Sequence, residues 1–213
     1  IRSDMTFQKS LVAASANKVQ ETYDLQNQAI QQYPNRDTYH RIFAQTNLAI
    51  ANALASSQPQ GSSPSAEVQQ QIVTLIQQSI TSSRNAVTIS PQTSMNWDNL
   101  SSIYRSLIGF GQNADQFAIL ANQQAIALDP SNPQEYVNLG GIYYQLGQWD
   151  DAIRQFQLAA NMKQDYANAY YNLGHALESK GGAENLQSAL QAYKIVEQLV
   201  TTDTENLKRI RAE

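Results

Sequence analysis

Along this chain the apolar positions fall every three or four residues, with polar residues between them. From Arg36 to Ser56 they recur at Tyr39, Ile42, Phe43, Thr46, Ile50 and Leu54, which predicts one long helix with a single buried stripe. Ser65-Ala66-Glu67 opens a second long helix that runs through Val68, Ile72, Leu75, Ile76 and Ile80 to Ala86. Between the two, Ser57–Ser65 reads SQPQGSSPS, a low-complexity loop with nothing to bury. Asp203 or Thr204 can cap a short final helix to Glu213 whose apolar positions are Leu207 and Ile210. No stretch alternates apolar and polar residues as a half-buried strand would. The pattern predicts an all-α chain.

The second half repeats itself. Tyr136, Leu139, Gly140, Tyr143, Gly147, Ala152, Phe156 and Ala159 recur as Tyr170, Leu173, Gly174, Leu177, Gly181, Ala189, Tyr193 and Val196. The leading pairs lie 34 residues apart and the last three 37, so the turn after Gly181 carries about three extra residues. An earlier unit reads Trp97, Leu100, Ser101, Tyr104, Ala118, Ala125 and Pro130, with its turn expanded over Ile108–Gln116. Before it, Tyr39, Ile42, Phe43 and Thr46 pair with Ala86 and Pro91 across a longer insertion.

A bulky aromatic followed three residues on by Leu and then Gly, next a Tyr, then Ala-x3-Phe and a closing Pro, resembles the tetratricopeptide repeat. The resemblance is strong over about 94–200 and weaker before that, where residues 1–35 match only through Ala29–Pro34. It implies a right-handed superhelical solenoid of antiparallel helix pairs. Residues 1–93 would be degenerate repeats with the loop at 57–65, followed by repeats at 94–132, 133–166 and 167–203. Residues 204–213 would be a polar helix capping the open end of one continuous solenoid.

The physical logic of the pattern does not depend on the name. The aromatic and the Leu three residues later share one face of the first helix. Gly140, Gly174 and Ser101 leave room for the second helix to approach, and Ala152, Ala189 and Ala118 do the same from the other side. Pro130 and Pro91 punctuate the junctions, because proline cannot continue a helix but can open one.

Composition removes most other functions. Fourteen Lys and Arg against 18 Asp and Glu give a formal charge of -4, without the basic stripe a nucleic-acid binder carries. Cysteine is absent, which excludes disulfides, thiolate catalysis and thiolate metal sites. Charged residues make up only 15% of the chain, and 45 Asn and Gln keep its surface wet instead. No run approaches the roughly 18 apolar residues of a membrane helix, so no membrane insertion by this segment is expected. The chain opens on Ile1 without a signal-like apolar run and reads as a fragment or processed product.

Catalytic constellations are equally thin. The chain holds two histidines, His40 and His175, in different repeats, with no acidic cluster around either, and it lacks a P-loop, an HExxH and a GxSxG. Asp150-Asp151 lies in a repeat turn that is ordinarily acidic. Neither an enzyme, a metal site nor a cofactor is expected.

The resemblance points to the concave face, where the first helix of each repeat meets a ligand. Residue by residue it implies Asn99 and Arg105 in the unit at Ser94, then Gln134, Asn138, Tyr144 and Gln145 in the next. In the last it implies Tyr171, Asn172 and His175. Asn99, Asn138 and Asn172 occupy the same position in three successive units, and an amide can both donate to and accept from a peptide backbone. With Arg105 the sole basic residue among them, recognition of an acidic C-terminal tail is not expected. The leading expectation is therefore a scaffold that binds a peptide or partner protein. Two others stand beside it. The N-terminal 55 or so residues resemble the repeat regions of bacterial O-antigen polymerase or ligase-like proteins, which would make this the water-facing part of a membrane protein. The long Arg36–Ala86 helix pair could instead serve homo-oligomerisation.

Overall fold

The computed structural model describes residues 2–57 and 64–201, and these form ten α-helices and no strand. Most of the 57–65 loop and the whole 204–213 cap lie outside the described residues. The helices are α1 (Arg2–Ser15), α2 (Val19–Gln32), α3 (Asp37–Ser56), α4 (Ala66–Ile89), α5 (Ser94–Arg105), α6 (Ala114–Leu128), α7 (Pro133–Gln145), α8 (Trp149–Met162), α9 (Ala167–Lys180) and α10 (Ala183–Thr201). The chain is all-α, as the periodicity predicts. It divides into two compact units, Ile1–Ala121 and Asn122–Glu213, with the boundary inside α6.

In the second unit the pairs α7–α8 and α9–α10 are built by the same device. A Cβ on Gly140 would sit 2.6 Å from Phe156 Cε1, and one on Gly174 would sit 2.5 Å from Tyr193 Cε1. Both are distances that real Cβ atoms do not tolerate, so glycine is what lets each ring lie flat on the facing helix. Around them Ala152, Ala159, Ala169, Ala176 and Ala189 are buried in one core with Phe156 and Leu177. Asn132 caps α7 by accepting from the Gln134 amide at 3.1 Å, with Pro133 in the first turn.

The first unit solves the same crossing with hydroxyls. Ser101 Oγ donates to the Ala118 carbonyl at 2.9 Å, and Ser79 Oγ donates to the Ala44 carbonyl at 2.7 Å. Ala44 is fully buried and takes the place of the small residue in the α3–α4 pair. Phe7 stacks on Tyr39 with ring centroids 4.5 Å apart, and the Tyr39 hydroxyl donates to Asp4 Oδ1 at 2.6 Å, which pins α1 to α3.

One junction is repeated three times. Trp97 Nε1 donates to the Pro91 carbonyl at 2.8 Å, Tyr136 Oη to the Pro130 carbonyl at 3.1 Å, and His40 Nε2 lies 2.8 Å from the Pro34 carbonyl. A carbonyl only accepts, so the His40 proton is on Nε2. This corrects the expected register of the unit at Arg36: His40, Phe43, Ala44 and Asn47 hold the repeat positions, one residue past Tyr39, Ile42, Phe43 and Thr46. The reason is steric and polar together. Tyr39 turns inward to Phe7, and the residue six past the proline supplies the donor.

Candidate binding face

The nine residues expected at a ligand-facing surface divide between the units. Asn99 and Arg105 belong to the first, and Gln134, Asn138, Tyr144, Gln145, Tyr171, Asn172 and His175 to the second.

Asn99 requires a correction. It is only 4% exposed, and its Nδ2 donates to Ser83 Oγ on α4 at 2.8 Å. The amide that the repeat pattern assigns to an open groove is spent inside the α4–α5 contact. Arg105, at the last residue of α5, is half-buried, and burial pushes its guanidinium below the usual arginine range.

In the second unit, α7 and α9 each carry part of a lane of uncharged polar groups. Gln134 stands in the first turn of α7. Its Nε2 donates to Asn138 Oδ1 at 2.8 Å, while its Oε1 accepts from the Tyr166 hydroxyl at the start of α9. One turn into α9, Asn172 Nδ2 donates to the carbonyl and the Oδ1 of Asn168 at 2.7 and 2.9 Å. At the far end, Tyr144 on α7 shares a hydrogen bond with Ser179 on α9 at 3.0 Å and lays its ring edge-on to Trp149 at 5.0 Å. Gln145 is exposed beside it at the end of α7.

Tyr171 and His175 form an aromatic cluster on α9. The two rings meet edge-to-face at 4.5 Å, and His175 meets Tyr193 of α10 at 5.5 Å. Tyr171 is 40% exposed, so its ring presents an apolar face with a polar tip. The Tyr193 hydroxyl donates to Glu178 Oε2 at 2.9 Å, and burial together with that carboxylate raises its pKa far above the usual tyrosine value. It therefore stays a neutral donor at any physiological pH.

The structure thus joins Gln134 to Asn138 and Tyr171 to His175, and it withdraws Asn99. It adds Tyr166, which is not among the nine, and Tyr193, which the repeat pattern assigns to packing. Tyr166 has a signal that could have found it, since it immediately precedes α9, where its hydroxyl can reach across to α7. Among the described residues no helix is long and apolar enough to cross a membrane, and no group of three or more His, Asp or Glu is arranged to hold a metal ion.

Residues 121–154 match a family model described as tetratricopeptide repeat, and residues 140–181 match one described as TPR repeat. This stretch carries tetratricopeptide repeats. Among solved structures, the chain is similar to the MamA protein at 18% identity, with a TM-score of 0.67, over 95% of this chain and 94% of that one. It is similar to a thermophilic TPR protein of Thermus thermophilus at 15% identity and a TM-score of 0.66, over 99% and 97%. A third is YrrB, described as a TPR protein with an unusual peptide-binding site, at 14% identity and a TM-score of 0.58, over 97% and 90%. At these identities the likeness establishes the fold, helix pairs of the tetratricopeptide type. No curated protein matches the sequence.

Proposed function

We propose that this chain is a non-catalytic interaction scaffold that holds an extended peptide, or an extended segment of a partner protein, against the α7–α9 face of its second unit. The observation that carries this reading is the lane of amides and hydroxyls from Gln134 through Asn138, Asn172 and Tyr144, bordered by the exposed ring of Tyr171. An extended backbone presents donors and acceptors in alternation, and amide side chains can meet both. In the free protein these amides bond to one another across single helical turns, so a ligand exchanges one set of hydrogen bonds for another. The net gain per bond is then modest, about 1 kcal/mol, and affinity accumulates along the lane. Peptide binding by YrrB, a TPR protein of similar fold, is in keeping with this reading.

The test is the double substitution Asn138→Ala with Asn172→Ala. Both side chains are only half-buried, so melting should move by no more than about 0.5 kcal/mol. A bound peptide should weaken by about 1 kcal/mol or more. A peptide whose affinity ignores the double change would move the site off this face. The O-antigen resemblance of the N-terminal stretch is not adopted, because no observation in the structure favours it.

A further inference from the structure

We propose that the first unit carries a self-association surface: an aliphatic groove between α2 and the distal turns of α3 and α4, occupied by the α3–α4 hairpin of a second copy of this chain. Two contiguous hollows of about 420 and 510 Å³ open there and share Val19, Ile50 and Leu54. Ala49, Ala53 and Leu75 extend the aliphatic lining, and Gln70, Gln78 and Thr46 stand among them. Val19 is 56% exposed at the mouth.

Helix length creates the groove. α3 has 20 residues beside the 14 of α2, and α4 has 24 beside the 12 of α5. Measured from the junctions where each pair meets, α3 outruns α2 by about 9 Å and α4 outruns α5 by about 18 Å at 1.5 Å per residue. The overrunning turns of α4 include Val73, which is 45% exposed. Each copy therefore offers both a groove and a projecting hairpin, the self-complementarity that a two-fold interface requires.

Charge selects the occupant. The chain bears -4, so two copies approaching at random repel weakly. Ile42–Ser83 is the exception, with Glu67 its single charged residue. Among the described residues, the single charged one lining the two hollows is a base, Lys18, whose ion pair with Glu21 at 3.0 Å is exposed and weak. In the proposed two-fold pair, Glu67 of each hairpin meets Lys18 at the rim of the other copy's groove, twice over. Self-pairing thus joins aliphatic surface to aliphatic surface and opposite charges to each other.

Sedimentation velocity of the full chain over about 1–200 µM, the range in which a micromolar equilibrium is visible, tests this. The expected result is a concentration-dependent shift from monomer to dimer. Lys18→Glu and Glu67→Lys should each weaken self-association by at least about fivefold, because each turns two attractive pairs into repulsive ones. The K18E/E67K double variant should restore it to within about twofold. These are surface changes, so helicity should be unaltered, and Leu54→Glu should abolish the dimer altogether. A monomer throughout the range overturns the proposal, including one that instead takes up an amphipathic helical peptide or a neutral lipid vesicle. A dimer indifferent to the charge reversals, or one that the double variant fails to restore, overturns it as well.

Discussion

The two units build the same helix pair from opposite materials. Twelve of the fourteen buried polar side chains among the described residues lie in the first unit, so its interior is organised by hydrogen bonds. In the second, Phe156 and Tyr193 rest on glycines and the interior is organised by ring volume. Helix length does not track the material: the hydroxyl crossings join helices of 20 and 24 residues in α3–α4 but 12 and 15 in α5–α6, and the ring-on-glycine pairs run from 13 and 14 in α7–α8 to 14 and 19 in α9–α10. The two interiors should still fail in different ways.

The largest effect should come from Gly140→Leu, which forces a side chain into the space of Phe156 and should cost about 3 kcal/mol in urea unfolding. A variant that melts like the parent would remove volume as the organising principle of the second unit. Next is Asn96→Ala in the first unit. Asn96 is fully buried, and its Nδ2 donates to Asp37 Oδ2 at 2.9 Å and to the Ala86 and Ser90 carbonyls at 3.2 and 3.3 Å. Orphaning these acceptors should cost about 2 kcal/mol.

The same variant has a pH signature. Burial alone would raise the Asp37 carboxyl, but the hydrogen bonds from Asn96 and from the Thr38 amide hold it below its ordinary value. A depressed carboxylate stabilises the fold above its unfolded pKa near 4, and that stability is lost as pH falls through the lower folded value. The deficit of Asn96→Ala should accordingly be widest at neutral pH and narrow below about pH 4. A deficit that stays constant with pH would detach Asn96 from Asp37. Tyr136→Phe is smaller still, about 0.5 kcal/mol, because the bond it removes to Pro130 lies at the surface. The Asn138 and Asn172 pair should barely register in stability, and its effect should be confined to binding.

The helix pairs of the second half are legible because a ring opposed to a glycine leaves a fixed spacing in the sequence. The α3 register is misread by one residue because Tyr39 looks more aromatic than His40. A side chain's type says little about whether it points to Phe7 or to the Pro34 carbonyl. The spacing from Pro34 to His40 equals that from Pro91 to Trp97 and from Pro130 to Tyr136, and it holds the right answer. Asn99 is misplaced for a different reason. Whether a position on α5 is open depends on what α4 brings against it, and Ser83 lies 16 residues away in the chain. Exposure of that kind is set by a neighbour, and local pattern does not encode it.

The three junctions carry a wider consequence. Imidazole, indole and phenol share almost no chemistry, yet each delivers a single hydrogen to the same proline carbonyl. What the junction demands is a proton at a point in space, and the ring behind it is interchangeable. His40 is thus the counterpart of Trp97 and Tyr136 at this junction, although residue type alone would not pair it with them.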